Sequence, residues 1–434
     1  MGGQTRRAAP PQPPLADGTP QPPLADGMQP VVRPPSRARV ALSTLGPAFV
    51  AAIAYVDPGN FATNFAGGVR FGYQLAWVIV LANLVATLVQ YVTSKAGLAT
   101  GRSLPELCRE RFGRRTNVLL WLQAEVVAMA TDLAEFVGAA VGLHLVFGLP
   151  LLPAGLFTAV VAFAILGLEQ SGQRRFIVAI AALLMVVAGG FFYLMVAAGT
   201  QHYDELAAGL VPHLPGNGAL ALVVGIVGAT VMPHVIYAHS ALQTPRYTPD
   251  DLPERRRRLR LNRWDCVIGL STAGAINLAM LCVAAALPFA EQTTDLESIH
   301  RGLEATVGAG CALAFGVALI ASGLASASVG TYAGQVVMSG FINRRIPLLV
   351  RRALTMIPSL IILGTAVDAS RALVVSQIVL SFGIPFALVP LILVTRDPEV
   401  MADMVNRRLT TAAMALVSAT IIGLNLYLIY DTIH

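Results

Sequence analysis

The stretch "YVDPGNFAT" (residues 55–63) interrupts an apolar segment that is otherwise long enough to cross a membrane. Pro58 has no backbone N–H, and its ring clashes with the preceding helical turn, so a regular helix cannot run through it. Asp57 and Asn60 add a carboxylate and an amide at the same level. Broken backbone at membrane depth is tolerated only where it is buried in protein or lines a wet cavity. The stretch therefore indicates an unwound helix that carries polar groups inside a membrane protein.

The whole chain is apolar, since 55% of its 434 residues are hydrophobic and only 12% are charged. A soluble domain of this size needs more charge to cover its surface. Apolar runs of about 18 to 25 residues recur, each long enough to cross a hydrocarbon core. We therefore expect an all-α integral membrane protein with eleven transmembrane helices. The predicted spans lie at approximately 40–69, 73–96, 116–146, 150–168, 174–199, 219–242, 262–288, 306–341, 348–366, 372–395 and 410–430.

The arginines predict the orientation of these spans. Of the 30 basic residues, only Arg70, Arg301 and Arg371 fall in connections on one side; the other 27 fall on the opposite side. By the positive-inside rule, the N-terminus is cytoplasmic and the C-terminus lies outside after eleven crossings. The net charge of +6 therefore reflects topology, and no nucleic-acid partner is expected. The excess of arginine over lysine is typical of a GC-rich bacterial genome, which favours a multi-pass protein of the bacterial inner membrane.

A second proline break occurs in span 6, where "GATVMPHVIYAHS" (228–240) contains Pro233. Pro58 and Pro233 are 175 residues apart, close to the shift between the starts of spans 1 and 6. If the chain consists of two halves of five spans each, the two breaks occupy equivalent positions. Because five is odd, the second half enters the membrane from the opposite side and is inverted. Such an inverted repeat places a substrate site where the two broken helices meet. A single proline often only kinks a helix, but two in register favour a site.

The expected organisation follows from this repeat. Residues 1–39, which are proline-rich and contain a near-duplicate of "PQPPLADG", are predicted to form a disordered cytoplasmic leader. Residues 40–199 form the first five-helix repeat and 200–395 the second, inverted one. Residues 396–434 hold the eleventh span and the C-terminus.

The residues at the two breaks favour a divalent metal ion. Asp57 and Asn60 supply hard oxygen ligands, and unwinding frees carbonyls near Ala54 and Ala229. A carboxylate at the bilayer centre is costly without a partner such as a cation. Met232 adds a thioether sulfur, which suits a borderline transition metal better than Mg²⁺ or Ca²⁺. The alternative is that Met232 is ordinary helix packing.

The motifs "DPGN" in span 1 and "MPH" in span 6, at this separation, resemble those of the Nramp family of proton-coupled divalent metal transporters. The resemblance covers residues 40 to 430. It implies a LeuT-type 5+5 inverted repeat in which helices 1 and 6 are unwound in mid-membrane. It also implies that Gln377 of span 10 joins the metal when the site is occluded, although this amide could equally bond a neighbouring helix. The metal ligands that it implies are Asp57, Asn60, Met232, Gln377 and the carbonyls of Ala54 and Ala229.

Span 3 carries three acids on one helical face. Glu125, Asp132 and Glu135 lie within about 80° around the axis. Acids on a spanning helix are expensive unless they face water, protons or a basic partner. They are expected to form a proton pathway together with Asp57, and the alternative is structural ion pairs with arginines. The resemblance implies that Arg352 pairs with Glu135, while the adjacent Arg351 is the other candidate.

Two histidines follow the second break. His234 and His239 are five residues apart and therefore about 140° apart around a helix, so they cannot face one metal together. The resemblance implies that the histidine of "MPH", here His234, belongs to the proton and gating machinery. His239 is a weaker candidate for the same role. The alternative is that each is a hydrogen-bonded core residue.

The function expected from these features is proton-coupled symport of Mn²⁺ and Fe²⁺, and of Cd²⁺ or Co²⁺, into the cell by alternating access. The alternative is a sodium-coupled symporter for an organic solute on the same fold. An intramembrane metalloenzyme is disfavoured because the chain has no HExxH motif, so no enzymatic activity is expected. Metal ion and proton are expected as substrates and the lipid bilayer as surroundings. No cofactor and no obligate protein partner are expected.

Overall fold

The computed structural model of the chain describes residues 46–170, 173–199, 202–247, 252–286, 294–343, 347–365 and 368–434. Within these ranges, every regular element is helical. The predicted leader at 1–39 lies outside the described residues. Among the described residues, eight segments are long and apolar enough to cross a membrane, and shorter apolar helices lie at Leu151–Ile165 and Leu354–Gly364. The all-α membrane class is thus confirmed, while the count of eleven spans stays a prediction.

The helices follow the predicted spans closely. In the first half they are α1 (Pro47–Ala54), α2 (Pro58–Phe71), α3 (Ala76–Thr100), α4 (Leu104–Arg111), α5 (Arg114–Phe147), α6 (Leu151–Gln170) and α7 (Gln173–Ala197). In the second half they are α8 (Tyr203–Ala208), α9 (Ala219–Thr230), α10 (Pro233–Gln243), α11 (Leu252–Ala286), α12 (Leu296–Thr306), α13 (Ala309–Ile342), α14 (Leu348–Gly364) and α15 (Ala369–Thr395). The short α16 (Pro398–Met401) leads to the final helix, α17 (Arg408–Ile433).

Both predicted breaks are present. The first span divides into α1 and α2, and Asp57 is the N-cap of α2, accepting a hydrogen bond from the Asn60 backbone N–H. The sixth span divides into α9 and α10, with Met232 as the N-cap of α10. Pro58 and Pro233 each occupy the first helical position, where the missing N–H costs no intrahelical bond. Four helix ends, two N-terminal and two C-terminal, therefore meet inside the bundle.

The broken helices form the centre of the bundle, since nearly every residue of α1, α2, α9 and α10 is buried. Glycines allow the close contacts. A side chain at Gly138 of α5 would overlap the ring of Pro58, and one at Gly228 of α9 would overlap the backbone carbonyl of Gln377 in α15. These contacts hold α5 and α15 directly against the two breaks.

The first residues of α1 are held by α11. The buried Asp265 carboxylate accepts hydrogen bonds from the backbone N–H groups of Gly46, at 3.0 Å, and Ala48, at 3.1 Å. One turn later, Gly269 lets the Ala48 carbonyl approach α11 closely. Because the first N–H groups of a helix have no intrahelical acceptor, this carboxylate caps α1 from another helix.

Candidate functional site

The Asn60 side chain joins the two breaks. Its amide nitrogen donates one hydrogen bond to Asp57 Oδ1 at 2.8 Å and another to the Ala229 carbonyl oxygen at 2.9 Å. Asp57 belongs to the first break and Ala229 to the second, and both residues are almost fully buried. Asn60 therefore hydrogen-bonds two other residues predicted as metal ligands, one at each break.

The unwound backbone of the first break is stabilised by neighbouring spans. Asn277 of α11 donates to the Tyr55 carbonyl at 2.8 Å, and the Ser322 hydroxyl of α13 donates to the Val56 carbonyl. A buried carbonyl oxygen without a hydrogen-bond partner destabilises the fold. These two side chains supply the partners and so stabilise the unwound backbone. The Ala54 carbonyl lies one residue earlier, at the C-terminal end of α1.

Gln377 lies between the two breaks. A side chain at Gly59 would collide with its amide group, and its backbone packs against Gly228, the neighbour of Ala229. The Gln377 side chain is fully buried and donates to Ser376 Oγ at 3.0 Å. Met232 is buried at the N-cap of α10. All six residues predicted as metal ligands thus lie at or against the two breaks.

Three buried oxygens at this place have no hydrogen-bond partner among the described residues: Asp57 Oδ2, Asn60 Oδ1 and Gln377 Oε1. Buried polar atoms normally have a partner, and one left without it calls for an explanation. These atoms are a carboxylate and two amide oxygens, which are good ligands for a cation. Within the described part of the chain, no group of three or more His, Cys, Asp and Glu is placed to hold a metal. Any ion bound here would depend on amides, carbonyls and the thioether in addition to one carboxylate.

The span 3 acids lie on α5, and the structure resolves one of their partners. Arg351 Nη2 lies 3.3 Å from Glu125 Oε2, and both side chains are largely buried. The Arg351 guanidinium packs against Gly334, and the Glu135 carboxylate packs one turn away against Gly330. Arg351 thus pairs with the first acid of span 3. The Arg352 side chain lies outside the described residues, so its pairing with Glu135 stays a prediction.

The two histidines enter different networks. His234 Nδ1 lies 3.1 Å from the Thr131 hydroxyl, and Thr131 immediately precedes the buried Asp132 on α5. His234 therefore contacts α5 at the residue next to Asp132 in sequence. His239 Nδ1 lies 2.8 Å from Gln90 Oε1, and Gln90 donates to the Tyr55 hydroxyl. His239 is thus connected to Tyr55 at the first break through Gln90 of α3.

Sequence reasoning missed four residues that support this site: Asn277, Ser322, Gln90 and Thr131. Each is an amide or hydroxyl side chain within an apolar span. That polarity was a usable signal, because an intramembrane polar group needs a partner. Their partners lie 35 to 266 residues away in sequence, which periodicity alone does not reveal.

Comparison with known proteins identifies the family of the chain. The sequence model of the Nramp (natural resistance-associated macrophage protein-like) family matches residues 48–431. The divalent metal cation transporter MntH of Deinococcus radiodurans is 46% identical over 400 residues, which are 92% of each chain.

Solved structures show the same architecture. The manganese transporter of Eremococcus coleocola is 31% identical with a TM-score of 0.82, covering 90% of this chain and 87% of that one. Mhp1, a nucleobase-cation-symport-1 family transporter, is only 15% identical but has a TM-score of 0.59, covering 89% and 92% of the two chains. The second likeness concerns the fold alone and supports the predicted LeuT-type architecture. With the family model matching nearly the whole bundle, the chain belongs to the Nramp family, whose members are multi-pass membrane proteins.

Proposed function

We propose that this protein carries divalent transition metal ions, Mn²⁺ foremost and also Fe²⁺, Cd²⁺ or Co²⁺, by proton-coupled symport into the cell. The observation that carries the proposal is the Asn60 amide, which joins Asp57 and Ala229 across both breaks. Around it lie the unpartnered oxygens of Asp57, Asn60 and Gln377, with Met232 close in sequence to Ala229. The names of the relatives, a divalent metal cation transporter and a manganese transporter, support the same substrate class.

The donor set accounts for the choice of metal. Rotation of the Asn60 amide would turn Oδ1 towards the groups that its nitrogen now contacts, which are the Asp57 carboxylate and the Ala229 carbonyl. An oxygen-rich set with one thioether favours Mn²⁺, Fe²⁺ and Cd²⁺ over Ca²⁺ and Mg²⁺, which prefer oxygen ligands only. The metal and the proton are the substrates in this proposal, and no cofactor takes part.

Coupling to protons follows from the same carboxylate. Metal meets Asp57 as a carboxylate, so binding to a protonated site releases a proton. His234 lies two residues after Met232 and contacts Thr131, beside Asp132. This contact provides a route from the site to the acids of α5, which continue to Glu135. A proton that leaves by this route to the cytoplasm moves in the same direction as the metal.

We also infer the orientation of the protein. Of its 30 basic residues, 27 fall in connections that the predicted spans assign to one side, which indicates a cytoplasmic N-terminus and an external C-terminus in a bacterial inner membrane. We further infer that 40–199 and 200–395 act as two inverted halves around the fixed site, with 396–434 adding the eleventh span. No protein or nucleic-acid partner enters this scheme.

The test is ion uptake into proteoliposomes that contain a metal-sensitive dye, with a pH dye in a parallel set. Wild type is compared with Asp57→Asn, which keeps the shape of the side chain and removes its charge. Asp431→Asn, at an exposed position near the C-terminus, is the matched control. We expect saturable Mn²⁺ entry with internal acidification in wild type and the control, and neither signal in Asp57→Asn. Ca²⁺ should not enter in any of the three.

Three results would contradict the proposal in whole or in part. Mn²⁺ entry that is unaffected by Asp57→Asn would show that the breaks are not the metal site. Absence of Mn²⁺ entry together with sodium-dependent uptake of an amino acid or another organic solute would favour the alternative symporter. Metal entry without acidification would support metal transport but would show that it is not coupled to protons.

A further inference from the structure

A separate cavity of about 700 Å³ lies between α3, α11 and the segment that leads from Asp403 to Thr410 in α17. Its lining includes Arg256 and Arg407, which belong to two of the basic connections. None of its lining residues belongs to the candidate metal site or to the proposed proton route. Its chemistry is therefore independent of the proposed transport function.

Basic side chains gather at one end of this cavity. Lys95, Arg256, Arg263 and Arg407 line it, and Asp403 is the one carboxylate among its described lining residues. Asp403 Oδ2 lies 3.6 Å from Arg256 Nε, so one of the four positive charges has an acidic partner within the cavity. Three positive charges are left in excess.

The remaining cations face neutral groups. Lys95, whose exposed fraction is 6%, donates a hydrogen bond to the side-chain oxygen of Asn406. Arg263 and Arg407 form no ion pair within the described residues. Both line the cavity together with Tyr91. Two arginines without an acidic partner among the described residues, and a tyrosine hydroxyl, thus line the same cavity.

The opposite end of the cavity is apolar. Leu84 and Leu88 precede Lys95 by eleven and seven residues on α3, which places them about 16 and 10 Å farther along the helix axis. This direction leads away from the basic connections towards the middle of the membrane. The exposed fraction of Leu84 is 62%, as is that of Trp264, the neighbour of Arg263. An exposed tryptophan is typical of the boundary between headgroups and hydrocarbon.

We propose that this cavity binds an anionic phospholipid, with the phosphate held by Arg263 and Arg407 and an acyl chain along Leu84 and Leu88. A guanidinium fork matches phosphate oxygens with paired hydrogen bonds. Basic pockets between transmembrane helices at the cytoplasmic side recognise anionic headgroups in the same way. A free phosphate ion would satisfy the arginines but would leave the apolar wall unused. With the orientation proposed above, the lipid belongs to the cytoplasmic leaflet.

The test titrates the delipidated full chain in detergent with phosphatidylglycerol or phosphatidylcholine and counts bound lipid by native mass spectrometry. Wild type is expected to retain phosphatidylglycerol in preference to phosphatidylcholine. The double variant Arg263→Gln/Arg407→Gln should bind phosphatidylglycerol about 30-fold more weakly, because each arginine near a lipid phosphate contributes about fivefold. Arg263→Lys/Arg407→Lys keeps both charges but lacks the guanidinium forks, so it should bind phosphatidylglycerol more weakly than wild type and more tightly than the Gln pair.

The matched control is Arg114→Gln/Arg115→Gln, which removes two exposed arginines at the start of α5, outside the cavity. It should bind phosphatidylglycerol like wild type. Three results would overturn the proposal: equal binding of the two lipids, a Gln pair that binds like wild type, or equal losses in the Gln pair and the control. Displacement of phosphatidylglycerol by an equal concentration of glycerol phosphate would identify a phosphate-ion site and would also overturn the lipid assignment.

Discussion

Asp265 is expected to control how firmly α1, the first half of the broken span, is held in the bundle. Its carboxylate accepts two backbone hydrogen bonds, from Gly46 and Ala48. A hydrogen bond to a charged group contributes about 1.5–3 kcal/mol net, and water replaces part of this when α1 moves away. Loss of about 3 kcal/mol in Asp265→Ala would raise the population with a detached α1 about 100-fold. Hydrogen exchange of a peptide covering 46–54 should show a similar loss of protection.

A matched control separates this effect from general destabilisation. Asp368→Ala removes another capping aspartate, which accepts from the Ser370 backbone N–H at 2.9 Å at the start of α15. It should leave exchange in the 46–54 peptide unchanged. Unaltered protection of α1 in Asp265→Ala would refute the reasoning, as would an equal loss of protection in every spanning helix.

Three further changes test the site and its surroundings. Met232→Ala should weaken Cd²⁺ binding about tenfold and relax the rejection of Ca²⁺. If titration calorimetry shows an unchanged ratio of Cd²⁺ to Ca²⁺ affinity, the thioether contributes only to packing. Gly138→Ala forces a methyl group against the ring of Pro58 and should lower the free energy of unfolding by about 1–3 kcal/mol, measured as a lower Tm. Gly189→Ala is the control, because a methyl group there meets no other atom, and its Tm should equal that of wild type. Glu125→Gln removes the charged partner of the buried Arg351 and should lower the free energy of unfolding by about 2 kcal/mol. The loss is smaller than for a fully buried ion pair because the Glu125 side chain is 19% exposed. A Tm equal to that of wild type would show that the pair adds no stability.

The architecture could be predicted because prolines act locally. Pro58 and Pro233 each end a helix by removing one N–H and adding one clash, and these effects do not depend on the rest of the fold. The apolar runs predict most spans for a similar reason, since the bilayer requires a certain length. The breaks lie where predicted, and most described helix ends lie within a few residues of the expected spans. The exception is α11, which begins at Leu252, ten residues before the predicted start of span 7.

The partners of the site could not be predicted from pattern alone. Asn277 and Ser322 satisfy the carbonyls of the first break, but they reach it from spans that lie more than 200 residues away. The choice between Arg351 and Arg352 could not be predicted either. They are about 100° apart on one helix, and which of them faces span 3 depends on the rotation of α14 in the bundle. Tertiary packing sets that rotation, and the sequence of α14 alone does not specify it.

The four helix ends at the centre of the bundle have an electrical consequence. Each N-terminus carries about half a positive charge and each C-terminus about half a negative charge, so two of each nearly cancel. In the proposed cycle Asp57 then sets the charge of the site: zero when protonated, one negative charge as a bare carboxylate, and one positive charge when the carboxylate holds a divalent ion. A membrane voltage acts on an elementary charge with about 2.3 kcal/mol per 100 mV. In the proposed symport Asp57 takes up its proton from outside, so the empty protein returns with a bare carboxylate. An inside-negative potential should therefore accelerate both the inward step of the metal-loaded protein and the outward return of the empty one.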